Sequence, residues 1–301
     1  MPNSIFPALI ISVSSVLLIA AVSSDTGTTR VNNTLPSTVV SPPIPESVFL
    51  AGEQVPIESF SVREKLDKEL IINTYRHSSS ILYLKRASRW FPIIEPILEE
   101  HGIPNDFKYL AVIESGLTQA VSPAGASGFW QFMKKTAPEY GLEVTSTVDE
   151  RYHVEKSTHA ACQYLQESYE KFGNWALAAA SYNMGMTGVE QRLEAQGVDS
   201  YWELHLNSET GRYVYRILAV KEVLSKPETY GFQLTENDLY HPHEVRKIAI
   251  TASIENLSDF ALKNGSNYRE LKELNPWLIK ESFVASPGKI YTVLFPKTVT
   301  E

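Results

Sequence analysis

Residues 107–133 read FKYLAVIESGLTQAVSPAGASGFWQFM, and this stretch decides the fold. Its first half repeats apolar residues at helical spacing. Glu114 stands three residues after Ala111, four after Leu110 and seven after Phe107. Those offsets put its carboxyl on the apolar face of a helix. Pro104-Asn105-Asp106 opens that helix and Gly116 closes it. Glu114 then lies in the last turn, where the helix dipole is negative. Burial and dipole both disfavour the carboxylate, so its pKa is expected above the ordinary value. A carboxylic acid still protonated near neutral pH suits a general acid. The plainer alternative is a salt-bridged glutamate on a helix surface.

The second half of the stretch changes character. Ser122-Pro123-Ala124-Gly125-Ala126-Ser127-Gly128 is dense in small residues, which let backbone and ligand approach closely. Gln131 offers both a donor and an acceptor, suited to sugar hydroxyls or an acetamido group. Phe129 and Trp130 supply flat apolar surface for the C–H face of a sugar ring, with core packing as the alternative for one of the two. Farther on, Asn174 caps a helix over 175–184 that ends in Ser181-Tyr182-Asn183.

Working outward, the spacing predicts helices ending at Gly102, over 154–172, and over 213–224. Strand-like alternation is scarce through the centre, so the fold class is mainly α. Residues 63–70 read as a mixed-charge, solvated helix face. Past His241-Pro242 the pattern becomes strand (245–254), helix (257–261), helix (268–274) and strand (290–295), a small α+β unit.

The N-terminus points out of the cytoplasm. Residues 5–22 are almost unbroken apolar sequence, and Ala21-Val22-Ser23 offers small residues for cleavage. The first basic residue is Arg30, so charge gives no orientation. Residues 1–24 are expected to be a signal peptide or membrane anchor, and 25–55, rich in Thr, Ser, Asn and Pro, a flexible linker. The chain is expected to be exported to the periplasm or cell envelope, possible anchoring included, and to act as a monomer.

The 301 residues carry 43% hydrophobic and 21% charged residues, which is globular material. A net charge of -8 makes nucleic acid a poor partner. The single cysteine, Cys162, permits no intramolecular disulfide and reads as a buried thiol. His153 and His159 lack the spacing of metal ligands and read as structural or surface residues. Asp149-Glu150-Arg151 reads as a structural ion pair.

Glu114-Ser115, Gly128-Phe129-Trp130-Gln131, Ser181-Tyr182-Asn183 and Glu209-Thr210 with Tyr213-Val214 together resemble the four ordered motifs of Slt-type lytic murein transglycosylases. Phe129-Trp130 and Ser181 depart from the family's commonest letters. The resemblance covers about residues 90–224 and implies a lysozyme-like catalytic domain, taken here as 56–235. It implies a peptidoglycan glycan strand as substrate, no cofactor and no metal. Glu114 would be the catalytic acid and then base. Ser115, Trp130, Gln131, Tyr182, Asn183 and Tyr213 would be the substrate-binding or orienting set. Leu257, Gly265, Leu271, Leu274-Asn275-Pro276 and Pro287-Gly288 resemble a LysM domain over 240–299, which implies glycan binding. Two rivals remain at this point. A hydrolase on the same fold would need a second carboxylate, from Glu139, Glu143, Asp149, Glu150 or Glu209. A non-catalytic cell-wall-binding protein would be indifferent to Glu114.

Overall fold

The computed structural model describes residues 39–297. A short antiparallel pair, β1 (Phe49–Leu50) and β2 (Glu53–Gln54), precedes seven helices. These are α1 (Phe60–Tyr75), α2 (His77–Glu100), α3 (Lys108–Ser115), α4 (Val154–Phe172), α5 (Trp175–Met184), α6 (Met186–Gln196) and α7 (Thr210–Ser225). A second cluster follows, with β3 (Val245–Ile250), α8 (Leu257–Lys263), α9 (Tyr268–Leu274) and β4 (Tyr291–Pro296).

The Ala-rich α5 is the hub of the helical part. Residues 176–181 are all buried, on every side of the helix. A helix apolar all round belongs in a core, and alanines let its neighbours α4, α6 and α7 approach closely. Asn174 caps it, accepting from the Leu177 amide at 2.9 Å, and Gly185 ends it. The helix over 154–172 also falls where the spacing predicts, closed by Gly173 in the left-handed conformation. In α2 the chain stays helical through Pro92 and Pro96, and the burial of Ile94 and Leu98 in the core outweighs the ladder bonds these prolines cannot donate.

Two expectations are corrected. Residues 63–70 are solvated on one side only, where Arg63, Glu64 and Lys68 are exposed. Val62, Leu66 and Leu70 are buried, and Glu69, 1% exposed, holds Arg212 of α7 by a bidentate pair at 2.5 and 3.1 Å. Charge along the sequence could not reveal a partner 143 residues away. The linker also ends sooner than residue 55. Val48, Leu50 and Val55 are buried, and the turn at Ala51-Gly52 has left-handed φ values. The Ala51 amide donates to Asp106 at 2.7 Å, and Glu53 accepts from Asn174 and from the Trp175 amide at the start of α5. A carboxylate at a helix N-terminus is favoured there. This segment is therefore a fastener between helix starts. The apolar run at 5–22 and residues 25–38 of the linker lie outside the described residues. Among the described residues, no helix is long and apolar enough to cross a membrane.

The C-terminal cluster has the strand, helix, helix, strand order. β3 pairs antiparallel with β4, from Val245 opposite Pro296 to Ile250 opposite Tyr291. Tyr291, Val293 and Phe295 alternate inward onto Leu257, Ala261 and Leu271. This core takes one buried residue from the helical part, Val148, and half-buried Tyr152 packs against it. The Asp149 amide donates to the Trp277 carbonyl at 2.9 Å, and the Ile279 amide to the Thr147 carbonyl at 3.1 Å. Buried Glu143 accepts from Ser286, Lys289 and Tyr291 at 2.7 to 2.8 Å. Burial works to raise its pKa, but these three donors hold it below the ordinary value.

Leu50→Ala tests the fastener. Truncating a fully buried leucine should lower unfolding free energy by about 3 kcal/mol in a urea titration. A flexible linker would show no change.

Candidate active site

α3 delivers Glu114 at its last turn, and Gly116 closes the helix at φ 62°. Leu117 continues left-handed at φ 56°, so the chain reverses immediately after the glutamate. Tyr213, fully buried on α7, donates its hydroxyl to Glu114 Oε1. Glu114 Oε2 makes no hydrogen bond among the described residues.

Burial is the main force on this carboxyl, and it raises the pKa. The Tyr213 hydroxyl and the Arg216 guanidinium oppose it without cancelling it, and Glu209 adds to the rise. The dipole expected from the sequence is blunted. Arg216 Nη2 donates to the Ile113 carbonyl at 2.6 Å, and Arg86 Nη1 to the Gly116 carbonyl at 3.0 Å. These guanidiniums occupy carbonyls that a helix end leaves unpaired. Neither arginine was singled out in the sequence. For Arg216 a signal existed, since it follows Tyr213 by one helical turn.

The 120–132 loop presents Gln131, itself left-handed at φ 50°. Its Nε2 donates to the Ala120 and Gly128 carbonyls at 3.0 and 2.7 Å. The amide donors thus tie the loop together, and Oε1 is the atom left for a ligand. Gly128 has a packing reason to be glycine. A Cβ there would lie 1.9 Å from the Arg151 carbonyl oxygen, at φ 79°. Arg151 clamps the same loop. Its Nε and Nη2 meet Asp149 at 2.9 and 2.7 Å, and its Nη1 donates to the Gly125 and Phe132 carbonyls at 3.0 and 3.1 Å. The ion pair was legible in the sequence, but its hold on the loop was not.

Trp130 is corrected. It is 0% exposed, and its Nε1 donates to Thr158 Oγ1 at 2.9 Å. An indole enclosed on both faces presents no surface to a sugar. Phe129 is buried too, edge-on to Trp90 at 4.9 Å. Both aromatics pack the core, where the sequence allowed one. The Trp130 carbonyl still serves the site, accepting the Tyr182 hydroxyl at 2.8 Å.

Tyr182 lies within electrostatic reach of Glu114. Burial, then Glu114, pushes its phenol well above its ordinary range, as for Tyr213. Asn183 Oδ1 accepts from Thr210 at 2.8 Å, and its Nδ2 reaches Glu209 Oε1 at 3.5 Å. Ser115 turns away from the glutamate. Its hydroxyl donates to the Ala111 carbonyl at 3.1 Å and accepts from the Thr118 amide at 3.4 Å, securing the helix end. Glu114, Tyr182 and Tyr213 are thus brought together, with Asn183 linked to Glu209 beside them.

The other carboxylates weighed in the sequence are occupied. Asp149 pairs with Arg151, Glu150 pairs with Lys156 and accepts from the Glu143 amide, and Glu143 serves the C-terminal cluster. Glu139 lies exposed on a 3₁₀ turn. Cys162 is buried, and burial raises its thiol to about 12. His153 precedes α4, where burial, then Lys156, lowers it to about 4. His159 bonds His101 at 2.8 Å. Among the described residues, no group of three or more His, Cys, Asp or Glu is arranged to hold a metal ion.

A helix-borne glutamate bonded to buried Tyr213, with half-buried Tyr182 in electrostatic reach, accords with the family comparison. Residues 91–204 match the Transglycosylase SLT domain, and residues 246–299 match the Soluble lytic transglycosylase C-terminal LysM-like domain. The chain therefore carries an SLT transglycosylase domain followed by a LysM-like domain, on a mainly α fold. Its similarity extends to membrane-bound lytic murein transglycosylase D of Escherichia coli strain K12, at 29% identity over 246 residues. That alignment covers 80% of this chain and 52% of the relative, so the chain spans about half the length of the curated relatives it matches. Among solved structures, the 70 kDa soluble lytic transglycosylase of Escherichia coli shares 22% identity at a TM-score of 0.39, covering 51% of this chain and 27% of that one. Lytic transglycosylase Slt of Pseudomonas aeruginosa shares 21% identity at a TM-score of 0.37, covering 50% and 26%.

Two outcomes are expected here. Gly128→Ala should destabilise the fold by about 3 kcal/mol in chemical denaturation, because the new methyl meets backbone at a left-handed φ. Glu114→Gln should raise Tm at neutral pH. A carboxyl raised by folding binds its proton more tightly in the native state, so its ionisation subtracts stability above the raised pKa. The amide cannot ionise, and its advantage should vanish below the ordinary glutamate pKa in a Tm series against pH.

Proposed function

We propose that this chain cleaves the β-1,4 bond between N-acetylmuramic acid and N-acetylglucosamine in peptidoglycan and leaves 1,6-anhydromuramyl ends. The observation that carries the reading is the state of Glu114: one oxygen held by Tyr213, the other without a hydrogen-bond partner among the described residues, and a carboxyl kept protonated more readily than in water.

The protonated Oε2 gives its proton to the leaving glycosidic oxygen as the C1–O bond breaks. The carboxylate then takes the proton of the muramyl C6 hydroxyl as O6 bonds to C1. The proton balance closes on one residue and no water is consumed. The substrate's own acetamido group assists at C1 in place of an enzyme nucleophile. Gln131 Oε1, Tyr182 and Asn183 contact the sugar, and Tyr213 orients the acid. A hydrolase would call on a second carboxylate. Glu209 is the one within this group of residues, and it is exposed and directed at Asn183. This favours the single-acid route. The setting follows from the substrate: export to the cell envelope, with glycan strands as partner and the LysM-like domain as a second glycan contact.

Purified protein and its Glu114→Gln variant are incubated with sacculi, and the released muropeptides are weighed by mass spectrometry. Anhydromuramyl products from the wild type alone are expected. Products heavier by one water mean a hydrolase. A second test uses Tyr213→Phe. The tyrosine hydroxyl favours the ionised carboxyl, so its loss should move the alkaline limb of the pH–rate profile upward. It should also lower kcat by about tenfold or more.

A further inference from the structure

The last turn of α3 cannot complete its own ladder. Gly116 and Leu117 turn left-handed, which carries the Leu117 amide away from the Ile113 carbonyl that it would meet in a continuing helix. Other donors fill the gap. The Val112 carbonyl accepts from the Gly116 amide at 2.8 Å, and the Ser115 carbonyl from the Thr118 hydroxyl at 2.7 Å. The Ile113 carbonyl accepts from Arg216 Nη2 of α7 at 2.6 Å. Glu114 is the next residue, so this bond anchors the turn that carries the acid.

A neutral donor would satisfy that carbonyl. α7 brings a half-buried cation instead, at a cost in desolvation. Arg212, one turn earlier, is matched by buried Glu69 through two bonds. Arg216 has no carboxylate within ion-pair distance among the described residues. It lies three residues after Tyr213, on the same face of α7, and the carboxyl that feels its charge is Glu114.

Glu114 starts the reaction neutral and is negative at its midpoint. As the leaving oxygen takes the proton, charge appears on a carboxyl in a desolvated setting. A fixed cation nearby stabilises that state more than the starting one. We propose that Arg216 is a positioning residue for the reaction: it pins the Ile113 carbonyl and supplies the standing counter-charge to the Glu114 carboxylate between the two proton transfers. The assignment rests on the reading of Glu114 as acid and then base, and it holds for a hydrolase as well. The other groups around the acid do not duplicate this role. Tyr213 and Tyr182 are held neutral, Glu209 carries the wrong sign, and Arg86 meets the Gly116 carbonyl, two residues past the acid.

Two variants separate charge from anchoring. Arg216→Gln keeps a donor for the Ile113 carbonyl and loses the charge, while Arg216→Lys keeps the charge. Cleavage of soluble, uncrosslinked peptidoglycan strands is followed against pH. Arg216→Gln should lower kcat about tenfold or more and leave KM within about twofold. Its alkaline limb should move upward, because the carboxyl loses a cation that favours ionisation. Arg216→Lys should recover most of kcat and return the limb to its wild-type position. A second measurement needs no turnover. In mildly alkaline buffer, Glu114→Gln should raise Tm more in the Arg216→Gln background than in the wild type, because ionisation of Glu114 costs more stability once the counter-charge is gone. Equal gains in both backgrounds, or equal kcat losses in the two Arg216 variants with unmoved limbs, overturn the assignment. The identity of the wild-type products, anhydro or one water heavier, reports separately on the enzymatic reading.

Discussion

Arg151 is nearly out of reach of solvent, and its guanidinium is committed on three sides. Nε and Nη2 face Asp149, while Nη1 faces two carbonyls of the loop that carries Gln131. A buried charge of this kind is costly to desolvate, and it survives only with close geometry and several bonds. Here the cost is offset by a function in the fold. A loop rich in small residues has little side-chain packing to hold it, and the arginine supplies the missing constraint. Gly128 against the Arg151 carbonyl completes the clamp from the other side.

The glutamate depends on a different balance. Its environment must be dry enough to keep the proton and polar enough to release it. Burial does the first. Tyr213 and Arg216 do the second, and both come from α7, which packs against α3. The two tyrosines around the acid are themselves held far from ionising, so they act as neutral donors. The carboxyl therefore holds its proton more readily than in water, with a hydroxyl and a guanidinium beside it that favour its ionised form.

The helices were legible because their ends carry local chemistry. Asn174, Gly173, Gly185 and Gly116 each mark a boundary that needs no distant partner. Glu114 was legible for a similar reason, since its offset from Leu110 and Phe107 fixes its face. What stayed hidden depends on long-range pairing. Glu69 looks solvated until Arg212 is set beside it, and the 48–55 segment looks like tether until Glu53 meets the start of α5. Trp130 and Gln131 are adjacent in sequence, yet one is interior and the other is half-buried on the loop. Backbone reversal at Gln131 makes that division, and no periodicity records it.

The joint between Trp277 and Asp149 joins two tasks in one segment. The Trp277 carbonyl takes the Asp149 amide, while the Asp149 side chain braces the arginine that clamps the loop. Glu143, a few residues earlier, is gripped by Ser286, Lys289 and Tyr291. A pull on the C-terminal cluster therefore has a short mechanical route, through three or four stiff hydrogen bonds, to Gly125 and Phe132. The cluster is less a trailing appendage than a handle, and a force applied to it would be felt at the loop that carries Gln131.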